Sequence, residues 1–421
     1  MFYDRFQIAN VLNAYRYNGS NQVNYLLTDP AVYDAAFSIA PAITSLQLSN
    51  AAQRDEIDSN LKAPRLMQSV IGIERQLFSR TTLNVNFINS RGVHELRTVD
   101  INAPLPGTYV YNAQTGAALA NTGFRPFGDI GDIYDYQSTG TYKQTQLSIG
   151  INTSAAKWLT LFSRYAYGTA HSDTDGLTTM ASNPYDLAQD WGRSSLDIRH
   201  MLFLGGSISA PWGLRLSPFF IAHSGMPFNI TTGTDLYGTG LMDSTARPSI
   251  ASGPAPNVIS TPYGYLDVIP QAGQSILERN IGEGPGFIEL NLRLSKTWGF
   301  GTTKFEGPSG GATSRQGGGP PGGGPPSRGG RPGGGGPPGG GGPPLGDGGP
   351  GGMFGEATEH RYNVTLPIMA RNVLNHANLS APVGVVTSPY FLESTGITGG
   401  FGPESVASNQ RRIDLQLRFS F

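Results

Sequence analysis

The sequence contains no cysteine, which excludes disulfide bonds and metal sites built from thiolates. It also lacks any apolar run approaching the ~18 residues that a spanning helix requires, so any membrane crossing must be made by strands. Charged residues make up 14% of the 421 residues and the net charge is −1. This charge provides no electrostatic footprint for nucleic acid, and we predict no nucleic-acid partner. The length fits either several soluble domains or one large barrel.

The last eleven residues alternate strictly between apolar and polar side chains. A strand with this period of two has one apolar and one polar face, which suits a soluble sandwich or a barrel in a bilayer. The chain ends on an aromatic residue inside the strand, which is typical of outer-membrane barrels, whose assembly machinery reads a final strand ending in Phe. We therefore predict an assembly signal formed by Ile413, Leu415, Leu417, Phe419 and Phe421, with the barrel-assembly machinery as its partner.

Three strand pairs joined by short links precede this strand. They are Leu66 to Phe78 with Thr81 to Ser90, Thr141 to Asn152 with Trp158 to Tyr167, and Leu196 to Ala210 with Leu214 to Phe220. The links near Ser79, Ala155 and Trp212 are short, while the connections between the pairs are long. Outer-membrane barrels show this asymmetry between periplasmic turns and extracellular loops. The predicted fold class is all-β: an antiparallel transmembrane β-barrel (C-terminal part, about ten strands) with long extracellular loops and one disordered Gly/Pro-rich insert.

Composition divides the chain into three segments. Residues 1–306 are predicted to form the barrel portion, and residues 356–421 the final barrel strands with the C-terminal Phe signal. Residues 307–355 are predicted to be a disordered periplasmic insert, because Gly- and Pro-rich sequence buries too little apolar area to offset its ordering entropy. The insert is interpreted either as a tether to peptidoglycan or as a tolerated repeat expansion.

Three local patterns carry less information about the fold. Tyr15 to Tyr17 is predicted to be a strand fragment, and Asn229 to Gly286 a long irregular loop. Tyr362 to Val373 is predicted to be a weak strand broken by Pro367.

Candidate chemistry is sparse. The segment with His171, Asp173, Asp175 and Gly176 has the start of a calcium loop, but no bidentate acid follows at suitable spacing, so a turn is favoured. A second acidic cluster could line a cation path or bind metal, but its period of three in a Gly-containing loop favours a solvated cluster; it comprises Asp129, Asp132 and Asp135. His200 and His223 lie on predicted strands without a hydrolase-like arrangement. We predict no enzymatic activity, no catalytic residues and no cofactor or metal.

Three tryptophans lie near predicted periplasmic strand ends. Amphipathic rings at such positions form the aromatic girdle of a membrane barrel. The alternative role is packing within a sheet. The predicted girdle residues are Trp158, Trp212 and Trp298.

Several stretches together resemble the TonB-dependent outer-membrane transporters, and within them the Oar-like receptors that carry a carboxypeptidase-regulatory-like domain. The matching stretches are Phe2 to Phe6, Ile73 to Leu77, Ser90 to His94, Asn183 to Tyr185, Leu196 to His200, Ser224 to Phe228, Arg371 to His376 and Arg411 to Phe421. The resemblance implies a barrel of about 22 strands plugged by an N-terminal domain, of which this chain supplies roughly the last half.

The plug, the TonB-binding box and a signal peptide have no counterpart here, so we expect the chain to be the C-terminal part of something longer. TonB would then be a partner only through that missing N-terminal part. The resemblance places the chain in the outer membrane, in contact with lipid and lipopolysaccharide. It implies a receptor that binds or imports an unknown large substrate, such as peptide, protein or glycan. Two alternatives remain: a stand-alone outer-membrane barrel or adhesin, and a soluble secreted β-sheet binding module.

Overall fold

The computed structural model describes residues 2–4, 6–22, 54–119, 122–239, 245–271, 273–303, 360–398 and 410–420. Strands dominate these ranges. They are β1 Phe2–Tyr3, β2 Arg54–Ile57, β3 Arg65–Phe78, β4 Thr81–Asp100, β5 Ile133–Ala156, β6 Leu159–Ser172, β7 Gly192–Arg193, β8 His200–Ala210 and β9 Leu214–His223. The remainder are β10 Pro227–Phe228, β11 Ser249–Ile250, β12 Val258–Thr261, β13 Gly264–Asp267, β14 Gly282–Glu283, β15 Phe287–Thr303, β16 His360–Arg371, β17 Arg412–Leu415 and β18 Arg418–Ser420. Helix α1 spans Ile8–Arg16, and 3₁₀ turns span Leu187–Asp190 and Pro211–Gly213.

Ten strands form one path of hydrogen-bonded neighbours, in the order β1-β3-β4-β5-β6-β8-β9-β15-β16-β17. Every neighbouring pair on this path is antiparallel. In the described ranges β1 and β17 do not pair with each other, so the sheet is open. The predicted all-β, antiparallel fold of about ten strands is confirmed.

The two faces of this sheet differ in polarity because apolar and polar side chains alternate along its strands. One row on the apolar face crosses seven strands in register: Ile73, Val85, Ile149, Tyr165, Leu202, Ala222 and Ile288. The neighbouring row on the polar face contains Asn84, Gly150, Arg164, Phe203, Ile221 and Glu289. No side chain of this apolar row is buried: Ile73 is 71% exposed, Leu202 is 36% exposed and the other five are partly exposed.

The short links share one edge of the sheet, which we call the short-turn rim. The Ser154 amide donates to the Arg80 carbonyl (2.9 Å), and the Ser209 amide donates to the Trp158 carbonyl (2.7 Å). At the third link, a Cβ added to Gly213 would lie 3.6 Å from the Thr297 carbonyl oxygen. Each turn thus lies beside the next strand, and the predicted grouping of the links on one side is confirmed.

The opposite edge, which we call the long-connection rim, carries folded polypeptide. Between β9 and β15 the chain forms two small sheets, β10-β14 and β11-β13-β12. They enclose a core of Phe228, Ile230, Leu266, Leu277 and Val386, in which Ile230 and Leu266 are completely buried. The connection from Asn229 to Gly286 is long, as predicted, but its described residues are not irregular throughout. Its strands have two to four residues, too short to show a period of two.

The N-terminal region contains helix α1 where the sequence predicted a strand fragment at Tyr15 to Tyr17. The Tyr17 amide donates to the Asn13 carbonyl (2.8 Å), which closes the last helical turn. Three clustered residues are too few to separate a helical from an extended period, and the prediction was wrong. No helix within the described ranges is long and apolar enough to span a membrane.

The final strand is split in two opposite Pro367. Strand β16 continues through Pro367, contrary to the predicted break, and keeps its register with β15 at Ser295. The Pro367 carbonyl accepts from the Gln416 amide (3.1 Å), so the proline nitrogen, which has no hydrogen to donate, faces the same neighbour. The ladder is consequently interrupted between β17 and β18.

Two predicted features fall outside the described residues. Phe421 lies outside them, as does the Gly/Pro-rich segment 307–355. Thr303 and His360 are the nearest described residues on either side of this segment, and they pair at the short-turn rim.

Candidate ligand-binding site

Buried ion pairs hold the long connections against the ends of the strands. Arg97 of β4 is 2% exposed and contacts Asp173 at 2.8 Å. Asp175 contacts the buried Arg279, and its other oxygen accepts from the Ser195 hydroxyl (2.9 Å). Asp173 and Asp175, the carboxylates of the possible calcium loop, thus neutralise arginines. No group of three or more His, Asp or Glu among the described residues is arranged to hold a metal ion.

A third buried pair fixes the connection between β6 and β8. Arg247 Nη1 donates to Asp190 Oδ1 (3.1 Å), and both residues are at least 96% buried. Asp190 also accepts from the Ser182 amide (3.0 Å). Removing one partner of a buried pair leaves an uncompensated charge and typically costs ~3–5 kcal/mol. The pair therefore fastens Arg247, between β9 and β15, to Asp190, between β6 and β8.

Two buried carboxyl groups lie at the ends of the connection between β4 and β5. Asp100 Oδ1 accepts from the amides of Asn102 and Ile133, both at 3.0 Å. Asp132 Oδ1 accepts from Arg125 Nη1 (2.8 Å). Burial, followed by the neighbouring Asp132, raises the pKa of Asp100 to about 7. Burial likewise raises the pKa of Asp132, against the lowering effect of Arg125 and with a further increase from Asp235.

The expectation that the cluster of Asp129, Asp132 and Asp135 is solvated is wrong for two of its three residues. Asp129 is exposed, but Asp132 and Asp135 are each only 7% exposed. Asp135 Oδ2 accepts from Gln137 Nε2 (3.0 Å). The cluster is divided because β5 begins at Ile133 and the connection folds over it.

A pocket of about 310 Å³ lies between the polar face and the long connections. Its floor is formed where β8, β9 and β15 reach the long-connection rim, by Met201, Ile221 and Phe287. Met226 and Leu379 come from the connections and complete the wall. The volume lies at the lower end of the range for small-molecule sites, and the mixture of apolar walls with few polar groups is typical of them.

His223 is the ionisable residue of this pocket. Its Nδ1 lies 2.8 Å from the Ser224 carbonyl oxygen, which can only accept, so Nδ1 carries the hydrogen. Its ring stacks on Phe287, with centroids 5.1 Å apart and planes at 3°. Nε2 is left as a hydrogen-bond acceptor on a ring of fixed orientation. His200 is placed differently, since its Nδ1 lies 2.7 Å from the Tyr165 hydroxyl.

Glycines make this pocket possible by allowing the backbones of its walls to meet. A Cβ on Gly225 would lie 1.8 Å from the Gly284 carbonyl oxygen. The Gly284 amide donates to the Met226 carbonyl (2.9 Å). The stretch Ser224 to Phe228 therefore has a steric reason for its glycine. No local pattern marks this stretch as part of a site, because its partners lie about 60 and 150 residues further along.

The predicted girdle and assembly residues lie on exposed positions. Trp158, Trp212 and Trp298 are 55%, 82% and 37% exposed near the short-turn rim. Lys296 Nζ lies 5.1 Å from the Trp298 ring centroid. Ile413, Leu415, Leu417 and Phe419 are 58% to 73% exposed, and the Phe419 ring stacks on Tyr362 at 6.1 Å. Their roles as girdle and assembly signal remain predictions.

Comparison with known proteins identifies the family. The model of a family described as an outer membrane beta barrel domain matches residues 1–306. Among solved structures, the outer membrane transporter YddB from Escherichia coli is 10% identical with a TM-score of 0.38, covering 87% of this chain and 34% of its own. The FrpB iron transporter from Neisseria meningitidis (F3-3 variant) is 9% identical with a TM-score of 0.37, covering 87% and 33%.

The chain thus spans about a third of the length of these two structures. No curated protein matches it. With its alternating antiparallel strands and its match over residues 1–306, the chain belongs to the outer membrane β-barrel domain family and resides in the outer membrane.

Proposed function

We propose that this chain is the C-terminal barrel part of a TonB-dependent, Oar-like receptor that captures a large external ligand at the long-connection rim. The observation that carries the proposal is the folded layer at this rim, with its buried ion pairs and its pocket of about 310 Å³. A barrel that only anchored itself in lipid would need no such layer. The stretches that resemble Oar-like receptors support the same reading, including Ser224 to Phe228, which builds the pocket wall.

In this proposal the apolar face contacts outer-membrane lipid and lipopolysaccharide, and the short-turn rim faces the periplasm. The terminal strand engages the barrel-assembly machinery. TonB acts through a part of the protein that lies N-terminal to these strands. The protein binds and passes on its ligand without chemical conversion, so it is not an enzyme.

The orientation can be tested with single cysteines, because the chain has none of its own. Ser252→Cys places a thiol on an exposed position between β11 and β12, and Lys157→Cys places one on the short-turn rim. A membrane-impermeant maleimide should label Ser252→Cys in intact cells, and Lys157→Cys only after the outer membrane is permeabilised. The reverse pattern would overturn the proposed orientation.

Energy coupling can be tested by growth on polymeric nutrients. A strain lacking the protein and a strain lacking TonB should share a growth defect on the same peptide, protein or glycan. A defect confined to the TonB strain on every such nutrient would contradict a TonB-dependent uptake role. Loss of surface attachment without a growth defect would instead favour the adhesin alternative.

A further inference from the structure

We propose that the pocket at the long-connection rim binds a phenolic ring, such as a tyrosine side chain of a peptide ligand. The inference rests on the proposed receptor function and names the chemical group that the receptor recognises. Three properties of the pocket support it: its size, the chemistry of its walls and the fixed acceptor on His223.

The volume is sufficient for one aromatic ring with its substituents. A cavity of ~150 Å³ in a protein core accommodates benzene, and this pocket measures about 310 Å³. A single six-membered ring leaves room for a linking chain or a ring substituent.

The walls favour an aromatic over an aliphatic occupant. Met201 and Met226 line the pocket together with Phe287. Thioether sulfurs make favourable contacts with ring edges, and aromatic pairs gain energy beyond the area they bury. Met226 is 42% exposed, so its flexible side chain can close over a bound ring.

His223 determines which polar group the ligand must carry. Because Nδ1 is committed to the Ser224 carbonyl (2.8 Å), Nε2 can only accept a hydrogen bond in the neutral ring. Stacking on Phe287 holds the ring plane, so the acceptor is preorganised. A ligand that carries one O–H donor on an aromatic ring satisfies this acceptor, whereas a plain phenyl group does not.

The test uses the full chain in detergent-free lipid vesicles at pH 8, because detergent tails would compete for an apolar pocket. The probes are p-cresol and 4-methylanisole, which share a ring but differ in the donor. Binding is measured by saturation-transfer NMR titration. His223→Phe should lower the preference for p-cresol over 4-methylanisole about fivefold, the value of one neutral hydrogen bond. An unchanged ratio would overturn the assignment of His223.

A second test replaces two exposed alanines, so that the buried residues of the pocket floor stay unchanged. Ala381→Trp places an indole at the pocket and should weaken binding of both probes at least tenfold. Ala255→Trp makes the same change on an exposed position of another connection and should leave binding unchanged. Equal binding in the two variants would show that the probes occupy another place and would sink the proposal.

Two tripeptides separate the sources of the phenol. Binding of Gly-Tyr-Gly but not Gly-Phe-Gly supports a tyrosine side chain as the ligand group. Binding of p-cresol without Gly-Tyr-Gly supports a free phenol and corrects the peptide source. These measurements are made on isolated chain, so a failure here leaves the orientation and growth tests of the receptor function intact, and the converse also holds.

Discussion

A charge placed on the apolar face should be far more costly than the same charge on the polar face of the same strand. Val85 lies in the row between Ile73 and Ile149, whereas Asn86 pairs with Gly72 and Ser148 on the other face. Val85 is four residues beyond Thr81 at the short-turn rim. At ~3.4 Å per residue and a strand tilt of ~40°, it lies ~10 Å into an apolar band about 25 Å tall, close to its middle.

Arginine at that depth costs ~2–4 kcal/mol, or about 30- to 700-fold in the folding equilibrium. Val85→Arg should lower the free energy of unfolding in lipid vesicles by this amount, measured by urea titration of tryptophan fluorescence. Asn86→Arg is the matched control and should cost less than ~1 kcal/mol, because its side chain extends into water. Similar losses in both variants would refute the assignment of the two faces.

Three further predictions concern the long-connection rim. Asp100→Asn should flatten the pH dependence of the stability of the connection between β4 and β5. Because the pKa of Asp100 is raised to about 7 in the folded protein, the folded connection binds a proton that the unfolded one releases, so acid stabilises it and this stability is lost as the pH rises through 7. Hydrogen exchange between pH 5.5 and 8.5 should show the loss in the native chain but not in the variant. Gly225→Ala should lower the free energy of unfolding by ~1–3 kcal/mol, because the added Cβ would clash with the Gly284 carbonyl. Gly253→Ala is the control and should leave thermal unfolding unchanged, because an added Cβ there meets nothing within 4 Å. Equal effects of the two substitutions would contradict the close approach of Gly225 and Gly284. Arg247→Met should lower the free energy of unfolding by ~3–5 kcal/mol, because it leaves the buried Asp190 without its arginine. Arg199→Met should lower it by less than ~1 kcal/mol, because Arg193 still pairs with Asp197 at 2.7 Å. Chemical denaturation of the two variants measures the difference.

The strands could be predicted because each long strand carries its own period. Leu83, Val85 and Phe87 alternate with Asn84 and Asn86 over enough residues to fix both the strand and its faces. The links near Ser79, Ala155 and Trp212 were also visible, since shortness is a property of the chain itself. The family match then confirms the outer-membrane location, and the alternative of a soluble secreted module is wrong.

The pocket could not be predicted because nothing local unites its residues. Met201, Ile221 and Phe287 each occupy an ordinary polar-face position, and Leu379 comes from a connection almost a hundred residues further along. The burial of Asp132 could not be predicted for a related reason. Asp132 in a Gly-containing stretch has the pattern of a solvated turn, and only the fold shows that Asp100 and Arg125 enclose it.

The pairing of Thr303 with His360 has a practical consequence for engineering. The register of β15 and β16 is held by their own ladder, which runs from Leu292 opposite Ala370 to Phe300 opposite Tyr362. Doubling the length of a loop in general adds only about 0.6 kcal/mol of closure entropy, so a longer link should cost little. A reporter enzyme or affinity handle spliced in at this junction should therefore leave the neighbouring strands undisturbed.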